Sequence, residues 1–369
     1  MKHAGKYNRL YIHVPFCEAK CHYCAFYSIP DANDRLKDEY LKRLEMDFIA
    51  EARNCNELKS IYIGGGTPTV LGAERLKSLF YLIKTNFNIS RNPEISIECN
   101  PETVDNERAS IISGFANRVS MGAQSFNPRL REYLGRRGSV ENIYSAFAML
   151  MEKGIKNIGI DLIYAIPGQK YREWAEDLRM AAELGVKHIS AYSLSIEEGS
   201  LLAVEKNAVK VSEELSADMW ALTGDLLEDS GYKRYEISNY ALPGFECMHN
   251  LEIWYGDTYL GCGPAASSYD GIKRWTHSPN INRWLDWKGT EQDIIEAEKR
   301  AGEIFIMGLR TVNGWDRNTF MERTGFDFMQ WEDKFAPLKA SGHLVYNNSS
   351  VSLPENGILL WDEISENFI

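Results

Sequence analysis

Long apolar runs are missing from this chain of 369 residues. No stretch approaches the roughly 18 consecutive apolar residues that a membrane-spanning helix needs. The opening MKHAGKYNRLYIHVPF also lacks the apolar core of an export signal, because its one short apolar run carries His13. A cytoplasmic protein is expected, with peripheral membrane contact left open. Excess positive charge is missing too: 41 Lys and Arg stand against 52 Asp and Glu, a formal net charge of −11. Neutralising a phosphate backbone takes a basic surface, so no nucleic-acid partner is expected. The most basic stretch, RLREYLGRR at 129–137, reads equally as a solvated helix end or as an anion contact. Internal repeats, low-complexity tracts and long charge runs are absent as well. What remains is a globular composition, 44% hydrophobic and 25% charged.

Cysteine is scarce, yet it is not spread evenly. Three of the seven fall in FCEAKCHYCAFYS at 16–28: Cys17, Cys21 and Cys24. In a reducing compartment such a cluster points to metal or catalysis before disulfides. A second C-x-x-C pair, which would complete a four-ligand zinc site, is lacking. Cys55 and Cys99 read as core residues. Thiolates suit iron–sulfur clusters, and three of them on a four-iron cubane leave one iron open to a chelating small molecule. Structural zinc and inert thiols are the competing readings.

Apolar segments rich in β-branched and aromatic residues recur at 10–14, 60–63, 94–98, 118–122, 157–164 and 188–196. Helical periodicity separates them, as at 39–53, 73–87 and 172–185. Six strands alternating with helices imply a parallel α/β sheet, either doubly wound or an incomplete barrel. Residues 1–235 are taken as this core. The aromatic and Gly-rich stretch 236–285 reads as an irregular connection. Residues 286–369 read as a helical accessory domain whose hairpin, HLVYNNSSVSLPENG, turns at the Asn pair.

In parallel α/β folds ligands bind beyond the carboxyl ends of the strands. The unusual residues lie at those ends here. The cysteines follow the first strand, and GGGTPT at 64–69 follows the second. That stretch lacks both the G-K-[ST] of a Walker loop and G-x-G-x-x-G spacing. Its glycines permit positive φ and close approach of a ligand, or simply a tight turn. Glu98 and Asn100 close the third strand, Gln124 and Ser125 follow the fourth, Asp161 lies in the fifth, and Ser195 and Glu197 end the sixth. Each alone is an ordinary capping residue, but together they outline one rim.

With YIHVPFCEAKCHYC, GGGTPT, RVSMGAQSFN, IDLIYAIPGQ and GYKRYEISNYALPGFECMHN in place, the chain resembles the radical S-adenosylmethionine (SAM) superfamily. Within it, the chain resembles the oxygen-independent coproporphyrinogen oxidase family and its HemW haem-chaperone branch. The resemblance implies an incomplete (β/α)6 barrel with a C-terminal helical and winged accessory domain. It implies a [4Fe–4S] cluster on Cys17, Cys21 and Cys24, with SAM chelating the fourth iron. Tyr11, Tyr23, Gly65, Gly66, Thr67 and Glu98 would contact SAM. Gln124, Arg136 and Asp161 match positions that bind a second SAM in the oxidase branch. The chemistry implied is reductive cleavage of the sulfonium.

Two departures separate this chain from the oxidases. Where they carry a further cysteine two positions after the cluster motif, this chain has Phe26, and only residues 1–9 precede the first apolar run. Coproporphyrinogen decarboxylation is therefore not expected. The HemW branch implies haem as cargo, a haem-acceptor protein and an electron donor as partners. It also implies an H-N-x-x-Y-W motif, matched by His249, Asn250 and Trp254 but with Ile253 in the Tyr slot. His249 is the implied haem contact. A porphyrin(ogen) oxidoreductase is the alternative.

Overall fold

The computed structural model describes residues 6–204 and 212–368. Its centre is six parallel strands laid side by side in chain order: β1 (Tyr7–Val14), β2 (Cys55–Gly65), β3 (Ile89–Cys99), β4 (Arg118–Gln124), β5 (Asn157–Tyr164) and β6 (His188–Ser193). Helices α1 (Asp34–Glu51), α2 (Ala73–Asn86), α3 (Asn106–Ser113), α4 (Pro128–Tyr133), α5 (Val140–Glu152) and α6 (Tyr171–Leu184) connect them. Side chains alternate across a strand. Leu10, Ile12 and Val14, with Ile61, Ile63, Ile95, Ile97, Val119 and Met121, enter the main hydrophobic core. The alternate positions carry Arg9, Tyr11, His13, Ser60, Tyr62, Glu98, Ser120 and Asp161, so the inner face is polar. The result is the incomplete (β/α)6 barrel that the resemblance implied, one of the two arrangements the alternation left open.

Each of the three helical segments expected from periodicity is present, with ends shifted by a few residues at most. The expected irregular connection is different. β7 (Lys233–Arg234) and β8 (Asn239–Ala241) extend the sheet beyond β6, and β9 (Leu260–Cys262) pairs parallel with β1. The order is β9-β1-β2-β3-β4-β5-β6-β8-β7. A division at residue 235 therefore cuts through one sheet. The reason is physical: an open barrel exposes unpaired backbone groups along both edges, and short strands cover them. Gly263 allows the close approach at the β1 edge, since a Cβ there would run into the His13 carbonyl.

The C-terminal part packs a helix (Ala297–Leu309) against an aromatic core. Phe305 meets Trp331 at 5.0 Å, Phe335 at 5.6 Å and Phe320 at 5.7 Å between ring centres. The expected hairpin is present, Val345–Tyr346 antiparallel to Ser350–Ser352, with the Asn347 side chain accepting the Ser349 and Ser350 N–H groups. Trp315–Asp316 adds a third strand to this wing. Two residues carry no readable period, so that strand was not visible in the sequence. No described helix is long and apolar enough to cross a membrane.

Candidate functional site

The cysteine loop is closed on itself. Phe16–Cys17 pairs with Ile29–Pro30, the Ile29 N–H reaches the Pro15 carbonyl at 2.6 Å, and the Asp31 N–H reaches the Cys17 carbonyl at 3.0 Å. The loop is also tied to the barrel. His13 Nε2 lies 2.9 Å from the Tyr27 carbonyl, so that nitrogen carries the proton, and Nδ1 accepts the Tyr11 hydroxyl at 3.0 Å. Tyr11 therefore reaches the loop through His13. His22 binds the α4 side: its N–H meets the Leu134 carbonyl at 3.0 Å and its Nδ1 the Tyr133 carbonyl at 2.9 Å. Tyr23 packs on the small apolar cluster of Leu130, Leu134, Ile163 and Ile166. Phe26 stands out from the loop, 71% exposed.

Cys17, Cys21 and Cys24 are free, half-buried thiols. Burial pushes Cys17 and Cys24 up, opposed at Cys17 by hydrogen bonds from Thr67 and Ser28, and at Cys24 by the Phe26 backbone. A cationic centre would be needed to hold them as thiolates. Among the described residues no three His, Cys, Asp or Glu side chains converge closely enough to hold one metal ion. Three free thiols on one compact loop could serve as the thiolate ligands of an iron–sulfur cluster.

The glycines of GGGTPT are set by their neighbours. A Cβ on Gly64 would meet the Glu98 carboxylate, one on Gly65 (φ 105°) the His13 ring, and one on Gly66 the Phe16 carbonyl. The Gly66 and Thr67 N–H groups bond the Val14 and Phe16 carbonyls at 2.8 and 2.7 Å, clamping this turn to the start of the cysteine loop. The buried Thr67 hydroxyl lies 3.6 Å from Cys17 Sγ. Arg136 reaches in from the segment after α4: Nη1 lies 3.6 Å from Cys21 Sγ, and Nη2 bonds the Gly122 carbonyl at 2.6 Å and Asn100 Oδ1 at 3.0 Å. Its side chain is buried and Glu102 lies 3.5 Å away. The basic stretch is thus divided, with Arg131 and Arg136 turned inward and Arg129 and Arg137 exposed. Arg131 is buried as well, donating to the Ala123 carbonyl, and Arg129 pairs with Glu173 on the surface.

Below the rim, Glu98 accepts the Tyr62 hydroxyl at 2.8 Å and the Gly65 N–H at 3.1 Å. Burial raises its pKa to about 7, the Tyr62 bond opposes this, and the nearby Asp161 adds to it. Burial also raises Asp161, whose oxygens lie 3.2 Å from Ser120 Oγ. Gln124 adopts φ 69° at the end of β4, beside a register shift between Gly122 and Gln124. Asp177 on α6, which the sequence reading missed, fixes this turn: it accepts the Ser125 hydroxyl and the Phe126 N–H, both at 2.7 Å. An acidic residue on the buried stripe of α6 was the available signal. Gly65 and Gln124 end their strands, Tyr23, Gly66, Thr67 and Arg136 lie on the segments beyond the strand ends, and Tyr11, Glu98 and Asp161 lie within β1, β3 and β5.

His249 does not join them. It lies on the helix Met248–Trp254 under the opposite end, 2% exposed, with Nδ1 2.8 Å from Ser60 Oγ and its ring 5.3 Å from that of Tyr62. Glu94 accepts the backbone N–H groups of Met248 at 2.9 Å and His249 at 2.8 Å. Burial, with Arg9 and Arg118 nearby, lowers the His249 pKa to about 3, so the ring is neutral. At 2% exposure the ring is closed to a porphyrin iron in this conformation.

Comparison with known proteins follows the same division. Residues 11–181 match the family model of the radical SAM superfamily, and residues 295–360 match the HemN C-terminal domain. A heme chaperone HemW of Lactococcus lactis is 30% identical over 99% of this chain and 98% of its own length. Those of Bacillus subtilis and Escherichia coli are 32% and 31% identical, over 97% and 98% of this chain and 98% and 97% of theirs. The solved coproporphyrinogen III oxidase (HemN) from Escherichia coli, described as a radical SAM enzyme, superposes with a TM-score of 0.87. It covers 99% of this chain and 90% of its own, and at 24% identity the likeness is one of fold.

Proposed function

This chain belongs to the radical SAM superfamily and, within it, to the HemW family, and from that premise we propose that it is a haem chaperone with a [4Fe–4S] cluster and SAM. Cys17, Cys21 and Cys24 hold three irons and leave the fourth for SAM. The observation that carries the reading is the closed loop of three free thiols, clamped to Gly66–Thr67 on one side and to Arg136 on the other. When bound, the pair supplies one-electron chemistry at the sulfonium. The chain's own residues do the rest. His13 and Tyr11 hold the loop, Arg136 supplies a fixed positive charge beside Cys21, and Glu98 offers an acceptor inside the barrel. Gln124 at the end of β4 and Asp161 on β5 are the proposed contacts of a second SAM.

Haem is the proposed cargo, passed to acceptor proteins, with an electron donor as the other partner and the cytoplasm as the compartment. The family names of the relatives support haem handling. His249 serves as an axial ligand only in a conformation that exposes its ring. The test is anaerobic reconstitution followed by parallel measurements of iron, the visible charge-transfer band, SAM cleavage and haem binding. Stoichiometric haem and about four irons per chain, without conversion of coproporphyrinogen, is the expected result. Decarboxylation would move the protein to the oxidase reading. Protein prepared without air that holds no iron and ignores SAM would defeat both.

A further inference from the structure

Two of the three loop sulfurs face side-chain donors, Thr67 and Ser28 at Cys17 and Arg136 at Cys21, and a single amide holds Thr67 and Arg136. Asn100 Nδ2 donates to Thr67 Oγ1 at 3.1 Å, and that hydroxyl lies 3.6 Å from Cys17 Sγ. Asn100 Oδ1 accepts from Arg136 Nη2 at 3.0 Å, and Arg136 Nη1 lies 3.6 Å from Cys21 Sγ. The amide fits only one way round. A guanidinium donates and never accepts, so Oδ1 must face Arg136 and Nδ2 must face Thr67. Thr67 then accepts with its lone pair and has its proton free for Cys17. Cys24 differs, meeting the Phe26 backbone instead.

We propose that Asn100 is a positioning residue for the metal cluster: it aims the Thr67 hydroxyl at Cys17 and the Arg136 guanidinium at Cys21, and so tunes two of the three ligand sulfurs. This rests on the cluster reading above. A donor or positive charge at a ligand sulfur stabilises the extra negative charge of the reduced cluster and raises its potential. Asn100 touches neither sulfur, so its effect must pass through its two neighbours.

The experiment is a redox titration of the reconstituted protein with dithionite as electron source, alongside iron content and circular dichroism. The set is wild type, Asn100→Ala, Thr67→Val, Arg136→Gln, the double Thr67→Val/Arg136→Gln and the triple Thr67→Val/Arg136→Gln/Asn100→Ala. Asn100→Ala should lower the reduction equilibrium constant about tenfold, a shift of about 59 mV toward negative potential for one electron. Thr67→Val, which keeps shape and removes one O–H, should shift it the same way by less, and it stands in if Asn100→Ala fails to fold. Adding Asn100→Ala to the two neighbour variants should change little further, since its route to the sulfurs is already gone. Folded, iron-replete Asn100→Ala and Thr67→Val with wild-type potentials would overturn the proposal alone. Wild-type protein that takes up no iron would overturn the cluster reading and the proposal with it.

Discussion

The two ends of the barrel use the same six strands but treat polar groups in opposite ways. At the cysteine end the thiols are half-buried, the clamping donors sit 3.6 Å from Cys17 and Cys21, and Glu98 is pushed toward neutrality. At the floor, Arg9, Ser60, Arg118 and His249 are all buried. There Arg9 is 2.9 Å from Asp257 and 3.0 Å from Ser60, and Glu94 caps the covering helix. One end presents free thiols, while the other pairs Arg9 with Asp257 and seats His249 on Ser60 but leaves Arg118 Nε and Nη1 buried without a hydrogen-bond partner. A buried charge is tolerable only when paired, and Arg9 is paired with Asp257 and Glu252 at the floor.

The strongest way to break this contrast is to strip the rim. Replacing Cys17, Cys21 and Cys24 together by Ala should abolish iron uptake and leave thermal unfolding nearly unchanged, as read by iron analysis and calorimetry. A large fall in melting temperature would make the loop structural instead. Next comes the floor. Arg118→Ala removes a large, fully buried side chain and should cost about 3 kcal/mol in denaturant unfolding through the cavity left behind, with iron uptake per folded molecule unchanged. His249→Ala should cost less, roughly 2 kcal/mol, from the lost Ser60 bond and ring packing. A fall in haem affinity in the folded His249→Ala protein at full iron content would give His249 a ligand role in a conformation that exposes its ring. Unchanged affinity would leave it a floor residue only.

The last expected effect is a pH slope. Glu98 has its pKa raised from 4.5 to about 7, and Asp177 from 3.8 to about 7. Between those limits the folded state binds more protons than the unfolded one, so stability falls as pH rises through the window. Glu98→Gln should flatten that slope in part and leave the share of Asp177. An identical slope in Glu98→Gln would mean that the carboxylate is ionised throughout.

Much of the rim was legible because strand ends in a parallel sheet gather at one side by construction. The cysteine spacing, the glycines of GGGTPT, Glu98, Gln124 and Asp161 all sit at or near such ends. His13 and Tyr62 were not singled out, since an inward-facing strand residue looks like any alternating polar position until its partner across the barrel is known. Asp177 was hidden in a helix and acts on a turn some 50 residues earlier, a separation given by its bonds to Ser125 and Phe126. The strands at the sheet edges were hidden too, being three residues or shorter.

From the order of residues alone came the βα alternation, the three-thiol loop and the polar rim, because period, glycine spacing and ligand spacing are local properties that survive without a fold. Only the folded chain decided which way each polar group faces. It set Asn100 between Thr67 and Arg136, turned His249 under the floor, and drew residues 239–241 and 260–262 onto opposite edges of one sheet. Those contacts join residues far apart in sequence, and their energies come from pairing buried groups that no local pattern records.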